Sequence, residues 1–239
     1  MRADIFLVEH GYAASRAEAQ AAIRAGLVRA GGKTVAKPSQ AIAPDAAIDY
    51  APAHPYVSRG GVKLAAALDH FVLSPAGLVC LDIGASTGGF TQVLLERGVA
   101  KVYAVDVGHG QLHSRLAANP RVVSLEGVNA RDLGQIPQPV DAIAADVSFI
   151  SLKLALPPAL GLARGGAWLV ALVKPQFEVG RENIAKGGIV KSEAARSAAL
   201  QSIADWLNAQ PGWSVTGTMD SPIAGGDGNR EYLISARKA

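Results

Sequence analysis

The segment LDIGASTGGFTQVLL, residues 81–95, carries the densest chemical signal in the chain. An apolar run reaches Asp82, a glycine-rich turn follows, and an amphipathic helix is expected to begin near Thr87 to Phe90. Glycines at such a turn let a ligand approach the backbone, and open α/β sheets bind ligands at the carboxyl ends of their strands. A nucleotide-like cofactor is therefore expected over Asp82, Gly84, Ser86, Thr87, Gly88, Gly89 and Phe90. The dinucleotide pattern G-x-G-x-x-G fails, because Ser86 stands where its second glycine belongs. The triphosphate loop fails too, because Gly89 is followed by Phe90 and Thr91 instead of Lys and a hydroxyl residue. S-adenosylmethionine remains. Asp106 ends the next apolar run, where an acidic residue takes ribose hydroxyls, and Asn129 or Asp132 in GVNARDL is placed to meet an adenine edge. Singly, Asp82 and Asp106 would read as helix caps or solvent-facing strand ends; beside the glycine turn they read as cofactor ligands.

These residues need a sheet to bring them to one edge. From about Val62 onward the runs VCLDIG, KVYAVD, RVVSLE, VDAIAADV and AWLVALV alternate with helix-like stretches, the pattern of a doubly wound α/β sheet. The runs are apolar throughout, as parallel strands covered on both faces require. Asp146 and Lys174 also stand where such runs end, so four polar groups (Asp82, Asp106, Asp146, Lys174) are expected on one rim. Ser192 to Ala209 predicts a long helix, and WSVTGTMDSPI with EYLISARK a terminal antiparallel pair. Ahead of this domain, Ile5 and Val8, then Ala19, Ala22 and Ile23, recur at helical spacing, with Ser15 as N-cap and Glu18 completing a capping box. LVRAGGKTVAKPSQAI predicts a hairpin turning at Gly31-Gly32. The stretch APDAAIDYAPAHPYVSRGG reads as inter-domain linker. The expected division is a small α+β domain over 1–50, a linker over 51–61 and an α/β domain over 62–239.

The 239 residues are 49% apolar and 18% charged, enough for packed cores and without the composition of a disordered tail. The net charge of +3 is unevenly spread. Arg16, Arg24, Arg29, Lys33 and Lys37 face the single acid Glu18 between Ser15 and Gln40, a candidate phosphate-binding surface. Cys80 is the only cysteine and lies in an apolar run, which excludes an intramolecular disulfide and fits a reducing cytoplasm. The start MRADIFLVEHG lacks the apolar core of a signal peptide, and no run reaches the ~18 apolar residues of a spanning helix. No membrane is expected as partner. His109 and His113 have the spacing of a two-ligand helix face, but no H-E-x-x-H pattern or third ligand accompanies them, so no metal is expected.

SRAEAQAAIRAGLVRAGGKTVAKPS, PYVSRGGVKL, LDIGASTGGFTQVLLERG, ADVSFISL, LVKPQFEVGR and GNREYL together resemble the TlyA or haemolysin A family, and they follow that family's order across nearly the whole chain. The resemblance implies an S4-type RNA-binding domain followed by a Rossmann-like, S-adenosylmethionine-dependent methyltransferase domain similar to the FtsJ-type ribose methyltransferases. Its implied activity is 2′-O-methylation of ribosomal RNA, with ribosomal RNA or a ribosomal subunit as partner. The implied RNA contacts are Arg2, Ser15, Arg16, Gln20, Arg24, Lys33 and Lys37, with Arg59 in the PYVSRGG motif. Two rival readings are an assembly factor with an inactive methyltransferase domain, opposed by the intact motifs, and a membrane-lytic protein, which lacks a spanning run or a strongly amphipathic basic helix.

Carried over by motif, the catalytic set is Lys63 in SRGGVKL, Asp146 in ADVSF, Lys174 in LVKPQFE and Glu231 in GNREYL. A ribose 2′-hydroxyl is a weak nucleophile near neutrality, so the transfer needs a base beside it and an in-line approach. Lys174 is the candidate base. A lysine serves so only if burial and a second cation, here Lys63, push it toward its neutral form, whereas Asp146 and Glu231 would act in the opposite sense while orienting the lysines and the hydroxyl.

Overall fold

A computed structural model describes residues 1–13 and 15–239, and the chain forms two compact units, Met1–Pro55 and Tyr56–Ala239. The division falls inside the segment read as linker.

The first unit opens with α1 (Ala3–Glu9) and α2 (Arg16–Arg24), followed by β1 (Val28–Ala30), β2 (Lys33–Thr34) and β3 (Ile48–Tyr50), in an antiparallel sheet of order β2-β1-β3. Ser15 caps α2 by accepting from the Glu18 amide at 3.2 Å, as its position before an apolar period predicts. Gly31 and Gly32, both at positive φ, make the β1–β2 turn. Phe6, Leu7, Ala19, Ala22, Ile23 and Val28 close a small core. β3 corrects the linker reading. Its Ile48 and Tyr50 pair with Ala30 and Val28, and the Tyr50 hydroxyl donates to Glu18 at 2.9 Å. A three-residue strand leaves too short a period to see in sequence.

The second unit begins earlier than expected. Val57 N donates to Gln92 Oε1 at 2.7 Å, and α3 (Gly60–His70) starts within the presumed linker. The Tyr56 ring lies over Gly61, where a Cβ would come within 2.3 Å of it. Then follow β4 (Val79–Ile83), α4 (Gly89–Glu96), β5 (Lys101–Asp106), α5 (Ser114–Ala117), β6 (Val122–Glu126), β7 (Val140–Ala145), α6 (Leu152–Ala155), α7 (Pro157–Leu162), β8 (Ala163–Val173), α8 (Pro175–Glu178), α9 (Glu193–Asn208), β9 (Trp213–Asp220) and β10 (Tyr232–Lys238). The seven strands run β6-β5-β4-β7-β8-β10-β9. The first five are parallel, and the terminal β9–β10 hairpin joins antiparallel to β8. Two cores flank the sheet, one around Leu81, Ile143, Leu152, Leu169 and Leu207, the other around Leu64, Leu94, Val102 and Leu172. Each such fully buried side chain contributes about 1.5–3 kcal/mol of transfer free energy. Ser192 caps α9 at Ala195 N, 3.2 Å away, fixing the start of the long helix where its sequence places it. No helix among the described residues is long and apolar enough to cross a membrane.

This topology brings the ends of β4, β5, β7 and β8 to one edge. Gly84 N donates to Val105 O at 2.9 Å and Asp146 N to Ile83 O at 2.8 Å, so the turns leaving these strands are stitched together.

Candidate active site

Gly84 leaves β4 at φ +80, and a Cβ there would lie 2.4 Å from the Asp146 carbonyl oxygen. Only glycine permits that approach between the β4 and β7 turns. Gly89 opens α4 against Ser58, whose Oγ would sit 2.1 Å from an added Cβ. Between them Ser86 holds φ +47, an uncommon value for a residue with a side chain. The reason lies in its partners: Ser86 N donates to Asp106 Oδ2 at 2.8 Å and its hydroxyl to Gln111 Oε1 at 3.1 Å.

Two adjoining cavities open at this edge. The larger, about 530 Å³, is lined by Gly84, Ser86, Asp106, Val128, Asn129 and Phe149 among others. The smaller, about 170 Å³, is lined by Ser58, Gly60, Gly89, Phe90 and Lys174. Asp146 and Ser148 line both. The larger volume is of ligand size, with apolar walls and few polar groups, which is how small-molecule sites are built.

Of the residues expected to hold a cofactor, the structure brings Gly84, Ser86, Asp106 and Asn129 to the large cavity and Gly89 and Phe90 to the small one. Thr87, Gly88, Asp82 and Asp132 line neither cavity. Thr87 offers its carbonyl to His113 N at 3.1 Å, and Gly88 packs against Leu112 and Leu116. Asp132 is exposed and caps its own turn at Gly134 N. Asp82 departs most from the expected rim position. It lies within β4, fully buried, and its Oδ2 accepts from the Thr91 hydroxyl at 2.6 Å. Burial raises its carboxyl to about 7 against the opposing bond from Thr91. In a five-residue strand, one place decides whether a side chain reaches the rim or stays beneath it.

The expected catalytic residues form two ion pairs. Lys174 Nζ lies 2.7 Å from Asp146 Oδ1 and donates to Ser148 Oγ at 2.7 Å. Lys63 Nζ donates to Glu231 Oε2 at 2.5 Å, with side chains 7% and 3% exposed. Tyr232 pairs with Val173, so Glu231 and Lys174 are the next residues outward on adjacent strands. Lys63 sits one turn inside α3, whose first residue Gly60 lines the small cavity.

Sequence reasoning passed over several residues at this edge. Ser148 lies between the cavities. Phe149 is 90% exposed at φ +64, its ring 5.1 Å from that of Phe177, and it lines the large cavity. A bulky residue in left-handed backbone is a departure that marks functional positions. Position alone, three residues after Asp146, offers no signal for it.

In the first unit, Asp4 is fully buried and gathers Arg2 (3.0 Å), Arg16 (2.9 Å) and Gln20 (2.9 Å). The Arg2 hydrogen bond, outweighing burial, holds the Asp4 carboxyl well below the usual carboxylate range. Arg24 reaches Gln20 at 3.3 Å, while Lys33 and Lys37 are exposed. Asp4 thus organises the basic face. In the second unit, Arg59 Nη2 lies 3.1 Å from the Cβ position of Gly226. The His109–His113 stretch is no helix: His113 instead caps α5 at Arg115 N. Among the described residues no group of His, Cys, Asp or Glu has metal-holding geometry.

The S4 domain family matches residues 1–48 and the FtsJ-like methyltransferase family residues 56–238. The chain is 45% identical over 240 residues to the 16S/23S rRNA (cytidine-2′-O)-methyltransferase TlyA of Mycobacterium tuberculosis, covering 99% of this chain and 89% of that one. It is 40% identical to Hemolysin A of Brachyspira hyodysenteriae, covering 98% of each. A solved structure of a candidate hemolysin from Streptococcus thermophilus superposes with TM-score 0.78 at 39% identity, covering 100% of this chain and 88% of that one. With matching domains in the same order and this identity over its whole length, the chain belongs to the TlyA family, an S4 domain joined to an FtsJ-like methyltransferase domain.

Proposed function

We propose that this protein methylates a ribose 2′-hydroxyl of ribosomal RNA, using S-adenosylmethionine, in the cytoplasm where ribosomes are assembled. The observation that carries this reading is the Lys174–Asp146 pair at the junction of the cavities, since Asp146 and Ser148 line both spaces and Lys174 the smaller. The large cavity suits the cofactor. The Asp106 carboxylate at the end of β5 is placed for ribose hydroxyls, Asn129 for a base edge, and Gly84 gives access to backbone. Bound there, the cofactor supplies an electrophilic methyl group.

The remaining chemistry belongs to the chain's own residues. Lys174 takes the hydroxyl's proton at Nζ, and Asp146 and Ser148 hold that nitrogen in place. Lys63 and Glu231 fix the neighbouring wall through their buried pair. The exposed Phe149 ring is a surface on which an unpaired base can stack. Cytidine is the nucleoside named for the Mycobacterium tuberculosis relative, and we take it as the target. The exposed Lys33 and Lys37, with the outward arginines of the Asp4 cluster, supply phosphate contacts in the S4 domain.

Single-turnover transfer to ribosomal RNA tests the assignment. Lys174→Ala should slow it by about 10²- to 10⁴-fold with cofactor affinity nearly intact. Lys174→Arg should be as slow, because arginine keeps the charge but gives up no proton at accessible pH. An arginine variant that kept most of the rate would make Lys174 an electrostatic clamp and move the base elsewhere.

A further inference from the structure

The loop between β5 and α5, residues 107–113, contains neither helix nor strand, yet two of its side chains, Val107 and Gln111, line the large cavity. What shapes it is unusual. Glu126, the last residue of β6, accepts from three successive amides: Gly110 at 2.7 Å through Oε2, Gln111 at 2.9 Å and Leu112 at 3.2 Å through Oε1. Such a run of convergent N–H groups is an anion-binding concavity, and here the chain fills it with its own carboxylate. These bonds, that from Gly110 foremost, hold the Glu126 carboxyl below the usual range, so the acceptor is charged.

Glu126 stands in register beside Asp106 on the neighbouring strand. Asp106 Oδ1 accepts from Gly108 N at 2.8 Å, and its Oδ2 from Ser86 N, so the two carboxylates clasp opposite ends of the same loop. Gln111, fixed through its amide by Glu126, accepts the Ser86 hydroxyl and ties the loop to the glycine turn. Leu112, fixed likewise, packs on Gly88 at the start of α4.

We propose that Glu126 is a positioning residue for the cofactor: it touches no ligand itself but holds the 107–112 loop in the form that walls the large cavity and supports the strained Ser86. This rests on the reading of that cavity as the S-adenosylmethionine site. Glutamine is the informative replacement. Its amide has the same size but only one acceptor oxygen, so it cannot serve donors on both sides and turns an N–H₂ toward at least one of them. Aspartate keeps the charge with a shorter reach and should restore part of the effect.

Two measurements on the full chain test this. In the ligand-free protein, hydrogen exchange of the Gly110–Leu112 amides should accelerate about tenfold or more in Glu126→Gln, with the global unfolding midpoint nearly unchanged because the loop is surface structure. By calorimetry, S-adenosylhomocysteine affinity should fall about tenfold while kcat at saturating cofactor stays within about threefold, with Glu126→Asp between the wild type and the glutamine variant. Unchanged exchange, or wild-type affinity in the glutamine variant, would overturn the proposal and leave the cofactor reading standing. A wild-type protein that bound no S-adenosylhomocysteine would overturn both.

Discussion

Replacing Lys63 by methionine should unfold the second unit at markedly lower temperature. The Lys63–Glu231 pair is a 2.5 Å contact with almost no solvent access, and its acid is crowded: a Cβ on Gly225 would lie 2.7 Å from Glu231 Oε1 and 2.9 Å from Asp227 Oδ1. Removing the ammonium leaves a buried carboxylate facing another acid. Breaking such a pair from one side costs about 3–5 kcal/mol. For a domain of this size each kcal/mol moves Tm by about 2–4 °C, so a drop of roughly 6–20 °C is expected. All three tryptophans, Trp168, Trp206 and Trp213, lie in the second unit, so their fluorescence follows its unfolding alone. The double variant Lys63→Met with Glu231→Leu should recover most of the loss, since two apolar groups of similar volume replace a buried pair at little or no cost. It should nevertheless be inactive, which separates scaffold from chemistry. If Lys63→Met cost under about 1 kcal/mol, the pair would be solvated and this account of the wall wrong. If the stable double variant still methylated RNA, neither residue would belong to the catalytic set.

Asp82 gives a pH test. Its buried carboxyl rises to about 7, so between the unfolded value near 4 and about pH 7 the folded state holds a proton that the unfolded chain has lost, and stability falls as pH rises. Asp82→Asn should flatten that decline and raise stability at pH 8 by a few kcal/mol (about 4 at most), measured by denaturant titration across pH, while S-adenosylhomocysteine affinity stays close to wild type; no gain at pH 8 would mean that the carboxylate is solvated. In the first unit the sign is reversed: the Asp4 carboxyl is depressed, so its contribution is present above about pH 4 and lost as pH falls through the folded value. Asp4→Ala should therefore lower S4-domain stability by about 1.5–3 kcal/mol at neutral pH and lessen its acid sensitivity, followed by hydrogen exchange of α1 and α2. Lys33→Gln with Lys37→Gln should reduce the slope of log K for RNA against log salt by about 0.7–0.9 per lost contact, and an unchanged slope would remove both from the interface. Phe149→Ala should weaken single-turnover transfer by about tenfold or more, consistent with one lost base stack, and full activity would leave the exposed ring without a role.

What the sequence conveyed well was local. The glycine turn, the apolar parallel runs, the Ser15 cap and the long helix after Ser192 each depend on residues within one or two turns of chain, and each stands in the structure where those residues put it. The rim position of Asp146 and Lys174 was also legible, because strand ends are local and parallel strands share an edge. The failures share a different cause. Ile48–Tyr50 becomes a strand only because β1 offers it a partner. Asp82 reads as a cofactor ligand on the rim, and Asp4 gives no signal at all, until burial and side-chain partners are known, such as Arg16 twelve residues after Asp4. Glu126 is the sharpest case. The sequence shows it only as the polar end of RVVSLE, yet its hydrogen bonds span fourteen to sixteen residues back to a loop that has no regular structure of its own. A loop shaped by a distant carboxylate leaves no periodicity to read, and its order is set by side-chain geometry that exists only once β5 and β6 are paired. The polar residues that position a site are thus harder to see in sequence than those that line it, because chemistry restricts the type of the lining residues while the positioning ones answer only to the fold.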